Sequence, residues 1–173
     1  MTKFVRLAAL AVATSLVATP AVAGPVGATP KAKASAKIVK PLTLTAQRDL
    51  NFGTIVNGLA TGGTRVLSVS QAGVLSGCDA SVVVCSGTTT SAQYKVTGTN
   101  NMTVTVASLG SNLINTTSGG SETLAFTPNA PATVALANSG AVGVDFEVGG
   151  SITIADTTVG GLYVGDITVT VDY

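Results

Sequence analysis

Alternation of apolar and polar residues dominates the chain beyond its first two dozen positions. From Ala28 to Leu44 the even positions are Ala28, Pro30, Ala32, Ala34, Ala36, Ile38, Lys40, Leu42 and Leu44, whereas Lys31, Lys33, Ser35 and Lys37 occupy odd ones. A period of two gives a strand one dry face. At roughly 3.3 Å per residue the stretch would exceed ~50 Å, too long for one strand of a small domain, so a break is expected at Lys40-Pro41.

Further strands are expected over Leu42–Thr45 and Leu50–Val56, parted by a polar turn at Ala46–Asp49 and with Gly53 as a candidate bulge. Another is expected over Thr64–Ser70. Val82, Val83 and Val84 fit either a strand covered on both faces or an apolar lid. Two hairpins can be drawn with register. A loop at Gly98-Thr99-Asn100 pairs Val96 with Met102 and Tyr94 with Val104; a three-residue loop at Gly149-Gly150-Ser151 pairs Val148 with Ile152 and Phe146 with Ile154. Residues Asn112–Glu122, rich in Ser, Thr, Asn and Gly, read as a loop. Short runs follow at Thr123–Thr127 and Thr133–Ala137, and the last strand places Tyr163, Gly165, Ile167, Val169, Val171 and Tyr173 on one face. No later segment keeps a helical period, and β-branched runs separated by Gly-centred turns predict an all-β, antiparallel sandwich.

The first residues read as an address. Lys3 and Arg6 precede the apolar run Leu7–Ala18, Pro20 breaks it, and Ala21-Val22-Ala23 presents small residues for cleavage between Ala23 and Gly24. That run is shorter than the roughly 20 residues that span a bilayer. The expected organisation is a signal peptide over 1–23, an N-terminal arm over 24–39 and one β-sandwich domain over 40–173. The expected location is secreted: through the periplasm, then at the cell surface or outside it.

Charge is unevenly spread although the formal net charge is +1. Lys31, Lys33, Lys37, Lys40 and Arg48 make the arm and its junction basic. From Asp49 onward Arg65 and Lys95 stand against eight acids. The lysines either keep an exposed strand soluble or complement the acidic body of another molecule. Few aromatics and an acidic body argue against nucleic acid as a partner.

Cys78 and Cys85 are the only cysteines. In an oxidising compartment they are expected to form one disulfide, which in the chain-entropy treatment contributes ~2.5 kcal/mol. A metal site lacks ligands, since the chain has no histidine, and redox-active pairs are more often spaced C-x-x-C.

The same lack of histidine removes Ser-His-Asp and Cys-His catalysis. Lys95 is the only lysine beyond residue 40, and no serine motif accompanies it. Asp145 and Glu147 would share a strand face about 7 Å apart, but a solvated outer face opposite Phe146 accounts for them better. The pairs Gly62-Gly63, Gly119-Gly120, Gly149-Gly150 and Gly160-Gly161 read as turns, since none opens a helix. With no Trp and three Tyr, sugar platforms are scarce. No enzyme, cofactor, metal or small-molecule substrate is expected.

The order of motifs is familiar. An Ala/Lys arm running into IVKPLTLT, then DLNFGTIV, a short cysteine loop, VGGSITI and the terminal GLYVGDITVTVDY resemble the bacterial secreted family called domain of unknown function 4402. The LNFG segment and the terminal strand are also similar to spore coat protein U and to subunits of archaic chaperone-usher pili. That resemblance implies a pilin-like, immunoglobulin-like sandwich completed by a neighbour's N-terminal strand. It implies a structural subunit of a surface fibre or coat that self-associates, or joins related subunits, by strand addition, with a periplasmic chaperone and an outer-membrane usher as partners. Ala32, Ala34, Ala36 and Ile38 are then the candidate donated knobs. The alternative is a self-contained secreted or periplasmic binding domain whose arm is a linker.

Overall fold

The computed structural model describes residues 23–117, 121–137 and 142–173. The leader expected over the first residues, up to Val22, lies outside them, as does the Gly119-Gly120 pair. The chain divides into two units, residues 1–37 and 38–173. In the first, residues 23–37 carry no helix or strand and their side chains are exposed. The second contains thirteen strands among its described residues and no helix.

In chain order these are β1 (Thr43–Arg48), β2 (Thr54–Asn57), β3 (Thr64–Val69), β4 (Leu75–Ser76), β5 (Val83–Ser86), β6 (Ala92–Thr97), β7 (Met102–Leu109), β8 (Ser111–Asn115), β9 (Thr123–Asn129), β10 (Thr133–Leu136), β11 (Val144–Ala155), β12 (Tyr163–Val164) and β13 (Thr168–Asp172). All pairings are antiparallel. An eight-stranded sheet runs β1-β6-β11-β9-β8-β12, with β3 and β4 attached through β11. A second sheet runs β10-β7-β13, and β2 and β5 form a two-stranded ribbon. The sheets curl into a half-barrel.

β11 is the spine. Its first half, Val144–Val148, pairs with β6; from Gly149 onward it pairs with β9 on one edge and β3 on the other. The hairpin expected at Gly149-Gly150-Ser151 is therefore absent, and the strand continues for 12 residues. The reason is parity. Val144, Phe146, Val148, Gly150, Ile152 and Ile154 all fall on even positions, so a straight strand keeps them on one face as well as a three-residue loop would. The two glycines serve close packing instead of a turn. A Cβ on Gly149 would collide with the backbone at Val69 and Ser70, and one on Gly150 with the Phe126 ring.

The other expected hairpin is also absent, because β6 and β7 lie in different sheets. Tyr94, Val96 and Val104 nevertheless share one core, with Leu136, Phe146 and Val148. They meet face to face across the two sheets, not side by side along a ladder. A second core gathers Phe52, Leu67, Val69, Val83, Leu124, Phe126, Ile152 and Ile154.

Smaller differences follow from local chemistry. β1 extends through Ala46–Arg48, where a turn was expected, with a register shift against β6 between Ala46 and Arg48. The run Leu50–Val56 is interrupted because Gly53 takes φ 73°, leaving an isolated bridge between Asn51 and Thr90 before β2 begins. β8 occupies the start of the expected Asn112–Glu122 loop. β9 runs through Pro128, which pairs with Gly150 on one side only, since β8 stops pairing at Phe126. The last strand splits into β12 and β13, which belong to different sheets. Among the three valines, Val83 is fully buried and Val84 exposed, so that segment is covered on one face. Cys78 and Cys85 form the disulfide, and Arg65 meets Asp79 inside its loop at 3.1 Å.

Gly149→Ala is expected to destabilise the protein by about 1–3 kcal/mol, because backbone and not a flexible side chain must yield. Urea unfolding followed by far-UV circular dichroism measures it, and an unchanged midpoint would refute the packing role.

Candidate functional site

The main path of the large sheet ends at β1 and at β12, and its branch through β3 ends at β4. Among the described residues β1 pairs only with β6 and β12 only with β8, so each leaves one edge without a strand partner there. Beside β12 and the end of β1 opens a groove of about 1200 Å³. One wall is the segment Ala46–Ile55, and the other is Thr158–Ile167. Ala92, Tyr94, Leu124, Phe126, Ile152 and Ile154, from the strands between β1 and β12, lie along the floor. They are under 10% exposed, so the free space lies nearer the rim. There Val159, Leu162 and Val164 are 42%, 63% and 52% exposed, an apolar lip on one wall.

Each wall is held by its own bonds. Asn51 and Thr90 exchange backbone hydrogen bonds, the Asn51 carboxamide oxygen accepts from Gly53 N–H at 2.7 Å, and Thr90 Oγ1 donates to Asp49 O at 3.0 Å. Opposite, the fully buried Asn115 donates to Gly160 O at 3.3 Å and accepts from Thr117 N–H at 2.9 Å. Thr116 N–H donates to Leu162 O at 2.8 Å, and Gly161 leaves no room for a Cβ against the Asn115 carboxamide.

Three charged residues line it: Arg48, Asp49 and Asp166. The Arg48 guanidinium is committed to Glu147 at 2.7 Å and to Ser91 O at 3.0 Å. Neither aspartate makes an ion pair among the described residues, and both are exposed. Tyr94 donates its hydroxyl proton to Ile167 O at 3.2 Å. Burial above all, and then the charges of Asp49 and Asp166, push that hydroxyl above its ordinary value of 10.0.

Of the residues singled out from sequence, Ala23 and Gly24 are exposed and outside any strand, as are Ala32, Ala34 and Ala36. Ile38, the first residue of the second unit, is 92% exposed. Ile38 does not line the groove. Lys40 is fixed at both backbone atoms: its N–H donates to Thr99 Oγ1 at 2.7 Å and its carbonyl accepts from Tyr173 Oη at 2.7 Å. Asp145 faces Lys95 at 3.7 Å, and Glu147 also accepts from Ser91 and Gln93 at 2.9 Å each, so these carboxylates belong to a hydrogen-bonded outer surface. Sequence reasoning missed Asp49, Asp166 and the 158–167 wall. Asp49 was read as the end of a polar turn and Asp166 as a residue on the outer face of the last strand, while of the wall only Gly160-Gly161, as a turn, and Tyr163 onward, as the start of an unbroken last strand, were read.

The raised Tyr94 value has a defined sign. The unfolded tyrosine ionises first, so this contribution is intact below about pH 10 and is lost as pH rises through the folded value. Thermal melts above that pH should fall less steeply for Tyr94→Phe than for the parent, and identical alkaline slopes would contradict the assignment.

No protein of curated function and no solved structure matches the chain. The model of the family described as Domain of unknown function (DUF4402) matches residues 42–173, from just before β1 to the last residue of β13 and Tyr173, and the chain belongs to that family.

Proposed function

We propose that this protein is a non-enzymatic, secreted structural subunit of a surface fibre or coat, and that it assembles by β-strand addition. The observation that carries the reading is the groove beside β12 and the end of β1, each of which has one edge without a strand partner, floored by core residues and lined by exposed Val159, Leu162 and Val164. An unpaired edge beside an apolar trough is a template for one more strand. A segment lying there would give its backbone N–H and C=O groups to those edges and cover the lip. Each such hydrogen bond contributes a net ~0.5–1.5 kcal/mol.

The donor in this reading is the arm, residues 24–39, with Ala32, Ala34, Ala36 and Ile38 directed inward. Its exposure and lack of strand structure leave its backbone available. Small alanine knobs suit a groove whose floor is already covered. The likeness to spore coat protein U and archaic pilin subunits supports the same conclusion, and under it the body is an incomplete immunoglobulin-like sandwich. A periplasmic chaperone would hold the groove before assembly, and an outer-membrane usher would exchange it for a neighbour's arm.

Deleting residues 24–39 from the secreted chain should abolish polymerisation while far-UV circular dichroism and the urea midpoint stay near those of the parent. If the intact protein sediments as a monomer at high concentration with full stability, the strand-addition reading fails and a self-contained binding domain takes its place.

A further inference from the structure

We propose that Asp49 and Asp166 are the specificity-determining residues of the groove, and that they select the lysine-bearing arm of a second copy of this chain as its occupant. This rests on the strand-addition reading and adds to it the means of partner choice.

The two acids stand on opposite walls, each close enough to the Tyr94 hydroxyl to affect its ionisation. They therefore flank one place along the floor. Among the described residues of the lining the one cation, Arg48, is held by Glu147 and Ser91, so the groove presents uncompensated negative charge beside an apolar lip. An occupant that satisfies both features alternates small apolar residues with cations. Residues 31–38, KAKASAKI, do so, with Lys31, Lys33 and Lys37 on one side of an extended strand and Ala32, Ala34, Ala36 and Ile38 on the other. The apolar side faces the floor and lip. The lysine side faces outward, where long flexible stems bring the ammonium groups over the rim to the carboxylates. Elsewhere past residue 48 the described chain has only Arg65, paired with Asp79, and Lys95, paired with Asp145, so no other segment of the body offers that pattern.

Charge at an exposed rim acts mainly on the rate of association and on the rejection of wrong partners. The signature is therefore a salt dependence. Screening contracts from about 10 Å at 0.1 M to about 3 Å at 1 M, whereas apolar burial is not weakened by salt.

The test follows the assembly of the full secreted chain by light scattering between 0.05 and 1 M NaCl, beside D49N/D166N, D49K/D166K and K31E/K33E/K37E variants, each checked for fold by circular dichroism. These salt settings span the screening range of about 14 to about 3 Å. The expected result is a roughly tenfold slower assembly of D49N/D166N at low salt, converging on the parent at high salt. K31E/K33E/K37E should assemble poorly alone, and mixing it with D49K/D166K should restore co-assembly. Because the arm variant leaves the body untouched, it reports even where a body variant folds badly. If the Asn variant matches the parent at every salt concentration while arm deletion still abolishes assembly, the acids do not select the arm although strand addition stands. If the acid variants fail but K31E/K33E/K37E assembles normally, the groove reads a different cation and this choice of occupant is overturned. If the parent does not assemble at all, both readings fall together.

Discussion

A sheet that curls without closing leaves rows of unpaired backbone groups at its ends, and here β1 and β12 carry two of them. Closing a barrel removes edges altogether; stopping short leaves the inner face of the sheet to be covered by something other than itself. The body covers most of that face with its own segments. The ribbon of β2 and β5 brings Phe52 and Val83 over Phe126, Ile152 and Ile154 at one end, and β10-β7-β13 faces β6 and β11 at the other. The groove is what remains between these two coverings. Its walls are braced by Asn51 with Thr90 and by Asn115 with Gly160 and Thr117, so it is a formed feature of the fold.

β11 makes this arrangement possible. A strand of 12 residues is long enough to serve two packing environments in succession. Its first half contributes Phe146 and Val148 to one core and its second half contributes Ile152 and Ile154 to the other. The change of environment falls at Gly149-Gly150, where the missing side chains let the end of β3 and the Phe126 ring approach. Phe126 meets Phe52 edge to face at 6.4 Å, which couples the glycine pair to the ribbon above it.

At the start of the body, Lys40 is the fixed point. Tyr173, the last residue of the sequence, donates its hydroxyl proton to the Lys40 carbonyl and accepts from Thr99 N–H at 2.7 Å. Gly98 fits against the Tyr173 hydroxyl and Leu42, with no space for a Cβ. From Leu42 onward the side chains begin to join a core, whereas Ile38 is exposed. The long alternating stretch thus divides at this point: its side chains are exposed through Pro41 and begin to pack against a core at Leu42.

Alternation in the sequence determined that the body is all-β, and for the runs to which a face was assigned, parity grouped residues that are buried: Tyr94, Val96 and Val104, and Phe146, Val148, Ile152 and Ile154. Two cysteines in a chain with a secretory leader pattern were enough to anticipate their bond. Strand partners were beyond its reach. Parity states which residues share a core and not whether they do so across a ladder or from two sheets, so Val96 with Met102 and Tyr94 with Val104 suggested a hairpin when β6 and β7 belong to different sheets. For the same reason an unbroken β11 and a three-residue loop are indistinguishable in the pattern. The groove itself, with Asp49 and Asp166 on opposite walls though 117 positions apart, arises only from how far the sheet curls. That is a long-range property of twist and packing, and no local run of residues encodes it.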